Sequence, residues 1–194
     1  MIKVIDFYFD FISPYSYLAH QKIKAIKQTN NVNFDYKPIL VGGLHNLQNI
    51  TAPAFIKPKL KHMINDCDLI AKKNKFNFFW NSKFPINSLN IMRGYLFVDD
   101  QAKDIYLNSM FDAYWKNNLD TSNVKILKKL LDKCKIDSNN FFNGINDIKI
   151  KNNLTTATQT AHDKEIFGTP TFVVNGKLFW GQDRLDFALD EYNN

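Results

Sequence analysis

The chain is short of cysteine and of long apolar runs, and each shortage excludes a class of protein. Only Cys67 and Cys134 are present among 194 residues, too few for a disulfide-stabilised scaffold. No apolar run is long enough to span a bilayer, so we expect no membrane partner. The sequence opens Met-Ile-Lys and passes directly into a strand pattern, without a charged leader or an apolar signal segment. We therefore expect a cytoplasmic protein.

The two cysteines lie on apolar helical faces. Cys67 shares a face with Met63 and Ile70, and Cys134 shares another with Leu127 and Leu131. This spacing predicts small core residues. A disulfide between them is not expected in a reducing compartment.

Arginine is almost as scarce as cysteine. The net charge is +6, yet Arg93 and Arg184 are the only arginines among 25 basic residues. Proteins that read nucleic acids use arginine forks and aromatic stacking platforms, whereas scattered lysines are typical of a solvated surface. We expect no nucleic-acid partner, and a mildly positive surface suits small anionic ligands.

The N-terminal residues have the pattern of an α/β unit. Residues 2–9 are β-branched and aromatic and predict a buried strand. Apolar residues at helical spacing predict a helix from Tyr15 to about residue 29, ended by Asn30-Asn31. Residues 32–39 predict a second strand, and a strand, helix and strand in this order favour parallel pairing.

The middle of the chain has a different pattern. Residues 40–57, with Gly42-Gly43, predict a long ordered loop, and the aromatic FNFFW at 76–80 is the only strand-like segment that follows. Helical spacing recurs over 58–75, 87–99, 101–117, 122–133 and 146–165. We therefore predict a discontinuous α/β domain over 1–50 and 166–194, with an α-helical insertion over 51–165. An aromatic stripe within the insertion predicts core, part of which could line an apolar pocket: Tyr106, Met110, Phe111, Tyr114 and Trp115.

The tail returns to β character. Residues 171–175 and 177–180 flank Gly176 and predict a hairpin. A helical stripe then predicts a closing helix, formed by Leu185, Ala188, Leu189 and Tyr192. The fold class is α/β, with the layout of a thioredoxin-like (DsbA-like) domain. In that fold the proline of Gly168-Thr169-Pro170-Thr171 is cis, beside the first helix, and leaves the Thr169 N–H and C=O open to a peptide. The alternative is that Pro170 only begins an edge strand.

Ser13-Pro14-Tyr15-Ser16 stands at the turn from the first strand to the first helix, where a Cys-Pro-x-Cys would indicate a thiol redox centre. The N-terminus of a helix carries roughly half a positive elementary charge and unpaired N–H groups. A serine there could donate a hydrogen bond to the thiolate of a ligand, worth about 1.5–3 kcal/mol. The alternative is that Ser13 or Ser16 only caps the helix. No G-x-S-x-G supports a serine hydrolase.

The segment 13–17 (SPYSY) and the tail 167–186 (FGTPTFVVNGKLFWGQDRLD) together closely resemble 2-hydroxychromene-2-carboxylate isomerases. These belong to the DsbA-like branch of the thioredoxin superfamily that includes kappa-class glutathione transferases. The resemblance covers essentially the whole chain, including the helical insertion. It implies glutathione as cofactor, a small electrophilic aromatic substrate and a homodimer.

The resemblance also implies which residues bind glutathione. It places the thiolate-stabilising, catalytic serine at Ser13. The remaining cofactor-binding positions are Thr169, Pro170, Trp180, Gly181, Gln182, Asp183, Lys59 and Asn49. Asn49 is one residue out of register with the family asparagine. Asp183 could equally be a helix-terminal charge, Trp180 a core aromatic and Lys59 a solvated charge.

The acceptor side departs from the family pattern. His45-Asn46 replace an expected loop lysine, Ile86 stands where a substrate-contacting tyrosine can occur, and Asn87-Ser88 match a family Asn-Ser. The resemblance therefore assigns substrate binding to His45, Asn46, Ile86 and Asn87.

The implied reaction is a reversible addition of glutathione thiolate, a bond rotation and an elimination. The alternatives are a kappa-like glutathione transferase and a non-catalytic glutathione- or peptide-binding module. No residue spacing indicates a metal site, and a thiol-disulfide oxidoreductase is disfavoured because neither cysteine lies at the helix start.

Overall fold

A computed structural model describes residues 3–29 and 31–194, which form one mixed four-stranded sheet covered by helices. The strands β1 (Ile5–Phe9), β2 (Phe34–Pro38), β3 (Thr171–Val174) and β4 (Lys177–Trp180) lie in the order β2-β1-β3-β4. β1 pairs parallel with β2 and antiparallel with β3, and β3 pairs antiparallel with β4. The α/β pattern and the hairpin are thus confirmed. Ile2 and Asn30, placed by sequence in the first strand and at the end of the first helix, lie outside the described residues.

Apart from α2 and α7, which the sequence did not predict, the helices within the described residues begin and end close to the predicted positions. They are α1 (Pro14–Thr29), α2 (Val41–Leu47), α3 (Lys57–Asn74), α4 (Leu89–Phe97), α5 (Asp100–Trp115), α6 (Val124–Lys133), α7 (Ser138–Gly144), α8 (Ile148–Asp163) and α9 (Leu185–Asn193). In the described part of the chain no helix is both long and apolar enough to cross a membrane. α2 to α8 lie between β2 and β3, and the exact division at residues 51 and 165 stays a prediction.

The predicted loop over 40–57 is wrong at its start, where the chain forms α2. Two glycines disfavour a helix there by roughly 1 kcal/mol each, and tertiary contacts compensate. The Val41 N–H donates to the Asp10 carboxylate (2.9 Å), and the Leu40 N–H donates to the Thr158 hydroxyl (3.0 Å). Leu44 is fully buried.

The strand-like FNFFW segment forms no regular secondary structure, because its rings pack on α5. Phe78 stacks on Trp115 with 5.8 Å between ring centroids, and the Phe79 N–H donates to the Trp115 carbonyl. The sequence pattern also missed α7. This short helix is capped by the Asp137 carboxylate, which accepts from the Asn140 N–H (2.6 Å), and is held by the buried Phe141.

An aromatic core joins the sheet to the helical insertion. Phe7 stacks on Phe172 of β3 (5.3 Å between centroids), while Phe11, just after β1, packs edge-on against Phe111 of α5 (4.8 Å). The stripe over 106–115 is completely buried, so its prediction as core is confirmed. Cys67 and Cys134 are buried and free, which confirms the prediction for them as well. This packing fixes the end of β1, where the candidate site begins.

Candidate functional site

The turn between β1 and α1 presents Ser13 as the N-cap of α1. The Ser13 N–H donates to the Asp10 carbonyl (3.0 Å) and closes the turn. Pro14 occupies the first helical position, where a missing N–H costs nothing. The Ser13 hydroxyl oxygen accepts from the Ser16 N–H (3.1 Å), so the capping role is confirmed. Capping fixes the hydroxyl at the positive end of the helix.

The same hydroxyl spans 156 residues to reach the other end of the chain. Ser13 Oγ donates to the Thr169 carbonyl oxygen (2.9 Å), and the Thr169-Pro170 peptide bond is cis. Ser13 and Thr169 are 8% and 9% exposed. The expectation that the Thr169 carbonyl is open needs correction, because the carbonyl already accepts this hydrogen bond.

A buried carboxyl lies behind Ser13. Asp10 is 0% exposed and accepts from the Ile12 N–H (3.1 Å) and the Val41 N–H (2.9 Å). Burial raises the pKa of Asp10 to about 6, and the hydrogen bonds from Ile12, Val41 and the Ser88 side chain oppose that rise. One carboxyl thus connects the Ser13 turn to the start of α2.

Three side chains around this turn carry buried polar atoms without a partner in the part of the chain that the structure describes. They are the Ser16 hydroxyl, the Thr169 hydroxyl and the Gln182 side-chain carbonyl. A buried polar group without a partner costs about 1–3 kcal/mol. A peptide-like ligand with N–H and C=O groups is the kind of molecule that satisfies such atoms.

The β4 strand brings Trp180 beside the same loop. The Trp180 and Phe167 rings lie 4.8 Å apart, and Trp180 is 52% exposed. A Cβ on Gly168 would lie 2.8 Å from Trp180 Nε1, so the glycine is what admits the indole. The alternative that Trp180 is a core aromatic is wrong, because half of its surface is exposed.

The segment after β4 turns sharply into α9. Gly181 adopts a φ of +113° and its N–H donates to the Pro170 carbonyl (2.9 Å). Gln182 is buried, and its backbone carbonyl accepts from the Lys22 ammonium (3.2 Å). Asp183 is exposed and pairs with Arg184 (2.6 Å), which lowers the pKa of the Asp183 carboxyl. This segment joins Pro170 to the side of α1.

α2 approaches the same loop from the other side. The Gln48 amide donates to the Ile166 carbonyl (2.8 Å), and the half-buried His45 ring lies near the Phe167 backbone. His45 Nδ1 is buried without a partner among the described residues. Partial burial lowers the pKa of His45, and the Phe167 backbone opposes that shift. Asn46 and Asn49 are exposed. Of His45, Asn46 and Asn49, which the sequence assigned to the site, His45 lies near the loop that carries Thr169.

The remaining predicted residues lie at the edges of the site. The Asn87 carboxamide oxygen accepts from the Leu89 N–H (2.9 Å) and so caps α4. Ile86 is half-buried beside it. The Tyr15 hydroxyl donates to Asp66 of α3 (2.8 Å). The exposed Lys59 lies seven residues before Asp66, on the same helical face.

Sequence reasoning missed Asp10 and Lys22. Asp10 stands three residues before Ser13, in YFDFIS at the end of a buried strand, and an acid at the end of an apolar strand is a usable signal. Lys22 gave no local signal, because its contact with Gln182 spans 160 residues.

The fold and the Ser13–Thr169 junction define a thioredoxin-fold protein without cysteines at the turn into α1. The chain belongs to the DsbA-like thioredoxin domain family, whose sequence model matches residues 4–193. Within this family it is similar to the 2-hydroxychromene-2-carboxylate isomerase of Sphingobium xenophagum, with 28% identity over 194 residues that cover 99% of this chain and 98% of that protein.

Two further comparisons agree. The human glutathione S-transferase kappa 1 is 22% identical over 199 residues, covering 95% of this chain and 88% of that protein. A solved structure of a 2-hydroxychromene-2-carboxylate isomerase superposes with a TM-score of 0.88 and 23% identity, over 96% of this chain and 93% of that one. The resemblance drawn from the sequence is thus confirmed. Relatives that are isomerases and glutathione transferases support an enzymatic role.

Proposed function

We propose that this protein is a glutathione-dependent isomerase of the 2-hydroxychromene-2-carboxylate type. The observation that carries the proposal is the position of the Ser13 hydroxyl, held at the N-terminus of α1 and 2.9 Å from the carbonyl of the residue before a cis-proline. Family membership and the isomerase relatives support it.

The residues present fit glutathione. Its peptide groups match the backbone of Thr169 and the unpartnered polar atoms of Ser16, Thr169 and Gln182. Its thiol matches a helix N-terminus, where a negative charge is stabilised. When bound there, glutathione supplies a thiolate nucleophile that can add to an unsaturated carbon and leave again.

Ser13 has one hydroxyl proton and, in the structure, donates it to the Thr169 carbonyl. To stabilise a thiolate, the hydroxyl must rotate that proton away from the carbonyl. The oxygen stays in place during this rotation, because it still accepts from the Ser16 N–H. The released Thr169 carbonyl then needs a new donor, which a ligand N–H provides. Ligand docking and hydroxyl reorientation are therefore coupled.

The other cofactor residues have defined roles in the proposal. Pro170 and Gly181 shape the loop through the hydrogen bond from the Gly181 N–H to the Pro170 carbonyl. Trp180 offers an exposed ring and Asp183 an exposed carboxylate for an ammonium group. The cations for the ligand's carboxylates come from Lys59 and, as an addition to the sequence prediction, Lys22. Asn49 completes the set from the end of α2.

The acceptor side of the proposal rests on His45, Asn46, Ile86 and Asn87. His45 is close to Phe167, and Asn87 to the start of α4. Ile86 is apolar and half-buried, which suits the body of a small electrophilic aromatic substrate.

The test is a titration of glutathione followed by thiolate absorbance near 240 nm, at several pH values. Wild type should lower the pKa of the bound thiol below its free value of about 8.5. In Ser13→Ala that pKa should rise by about one to two units, because a charge-assisted hydrogen bond is lost. Ser122→Ala is the control, since Ser122 is an exposed serine in the turn before α6, outside the proposed site. A wild type whose bound thiol stays protonated at pH 8 would refute the proposal.

A kappa-like glutathione transferase is the second candidate, favoured by the similarity to the kappa relative. A turnover assay with 2-hydroxychromene-2-carboxylate and substoichiometric glutathione separates the two. An isomerase converts the whole substrate pool and leaves glutathione intact. A transferase stops when glutathione is consumed.

A further inference from the structure

Arg93 is packed in an unusual setting for a charged side chain. It is half-buried on α4, and its Nε is buried without a partner among the described residues. No carboxylate of residues 3–29 or 31–194 forms an ion pair with it, whereas the other arginine, Arg184, pairs with Asp183. Burying a cation without an anion is costly.

Arg93 lines a cleft between α2, α4 and α8 that we name the cationic cleft. Its volume is about 220 Å³, and its principal lining residues are Leu40, Leu47, Leu89, Leu154, Arg93 and Lys151. Four leucines make much of the lining apolar, and Arg93 and Lys151 are its two cations. No aspartate or glutamate lines the cleft. Ligand pockets usually measure ~300–1,000 Å³, so the fitting ligand is small.

The cationic cleft and the loop beside Ser13 lie on opposite faces of α2, whereas on α4 the cleft borders the proposed acceptor segment, because the Leu89 N–H donates to Asn87. Gly43 and Leu47 of α2 line the cleft, while His45 and Gln48 contact the Ile166–Phe167 backbone. At 100° per residue, His45 points about 160° away from Gly43 and Leu47. α2 therefore separates the two regions, with one face turned to each.

We propose that the cationic cleft binds a small carboxylate with an apolar body, such as an aromatic monocarboxylic acid. The guanidinium of Arg93 matches a carboxylate in a bidentate fork, and Lys151 adds a second positive charge. The leucines bury the body of the ligand. The chain has 23 lysines and only two arginines. Arg93 is one of them, and no carboxylate of the described residues forms an ion pair with its guanidinium.

The experiment is a titration of the ¹⁵N-labelled protein with benzoate, read by NMR at Arg93 Nε–H and at the amides of Gly43 and Lys151. Benzoate should shift these three resonances saturably. Benzamide, its neutral counterpart, should bind at least about tenfold more weakly, and so should benzoate in Arg93→Gln, because a charge-assisted hydrogen bond is lost in each case. Lys125→Gln, an exposed lysine on α6, should bind benzoate like wild type.

A steric variant keeps the proposal testable if Arg93→Gln does not fold. A Cβ on Gly43 meets only ordinary contacts, 3.6 Å from Leu40 and Thr158, so Gly43→Leu should fill the cleft with both cations in place. Gly42→Leu is its matched control, since nothing lies within 4 Å of a Cβ there. Gly43→Leu should abolish the benzoate shifts and Gly42→Leu should retain them.

Three results would overturn the proposal. If benzamide bound as tightly as benzoate, the cleft would recognise only the apolar ring and not the carboxylate. If inorganic phosphate bound as tightly as benzoate, the cleft would be a site for any anion and the apolar body of the ligand would not matter. Benzoate shifts confined to Thr169 and Trp180 would place the carboxylate at the Ser13 site instead.

Discussion

The two halves of the candidate site are built differently. The junction, formed by Asp10, Ser13, Ser16, Thr169 and Pro170, is buried and held by backbone and side-chain hydrogen bonds from both ends of the chain. The acceptor segments are His45-Asn46 on α2 and Ile86-Asn87 before α4, and all four residues are partly or fully exposed.

The difference separates what the fold requires from what a substrate requires. A change in the junction leaves buried donors or acceptors without partners, so few residue types fit there. A change in the acceptor segments mostly alters contacts with solvent, which the fold tolerates. Under the proposed function, departures from the family pattern at His45, Asn46 and Ile86 therefore alter the substrate side of the site and leave the buried junction intact.

The largest expected effect on stability is at Asp10. Asp10→Ala removes the acceptor of the Ile12 and Val41 N–H groups and should cost about 2–3 kcal/mol in the free energy of unfolding, measured by urea denaturation at about pH 4, where the contribution of Asp10 is full. Asp99→Ala is the control, since Asp99 is exposed and its side chain makes no capping hydrogen bond. Equal stability of the two variants would show that the carboxyl does not hold the junction to α2.

The pH dependence of stability sharpens the same comparison. Burial raises the pKa of Asp10 from 3.8 to about 6 in the folded protein, so the folded state binds this proton more tightly than the unfolded state. Its contribution to stability is full below about pH 4 and is lost as pH rises to about 6. Asp10→Asn should flatten that part of the stability profile relative to wild type, measured by urea denaturation from pH 4 to 7. A parallel profile in the variant would contradict the assignment.

Gly168 tests how tightly the junction is packed. Gly168→Ala places a methyl group 2.8 Å from Trp180 Nε1 and should destabilise the protein by about 1–3 kcal/mol through overpacking. Trp180 fluorescence should also change, because the indole must move. If Gly168→Ala keeps both the wild-type stability and the wild-type emission, the close approach of Trp180 is not a constraint.

Asn87 tests the cap of α4 in the acceptor segment. Asn87→Ala removes the acceptor of the Leu89 N–H and should cost about 1 kcal/mol in thermal or urea unfolding. Asn87→Asp preserves an oxygen acceptor and should recover most of that loss. An aspartate variant as unstable as the alanine variant would exclude capping as the cause.

The smallest effect is expected at Gly42. Gly42→Ala introduces a methyl group with nothing within 4 Å and should stabilise the protein by about 0.4–1 kcal/mol, since it reduces the entropy of the unfolded chain. Gly42→Ala is expected to raise the free energy of unfolding and Gly168→Ala to lower it. This difference in sign distinguishes the open surface of α2 from the tightly packed junction. A destabilising Gly42→Ala would place α2 under constraints that the structure does not show.

The sequence predicted most helices and strands because their signals are local. Period-2 and period-3.6 patterns, the Asn175-Gly176 turn and the Ser13-Pro14 helix start are all read within a few residues. The wrong predictions share one cause, which is that contacts between residues distant in sequence override the local pattern. α2 forms despite two glycines because Asp10 and Thr158 bond its first residues, and 76–80 fails to become a strand because its rings pack on α5.

By itself the sequence determined the α/β order, the serine in place of cysteine at the start of α1 and the family resemblance. Each of these depends on residue types at short, fixed spacings. Only the tertiary structure decided that Ser13 donates to Thr169, that Asp10 links the Ser13 turn to α2, and that Arg93 lines an apolar cleft whose lining holds no acid. Those facts depend on contacts between residues 31 to 156 positions apart, which no local pattern encodes.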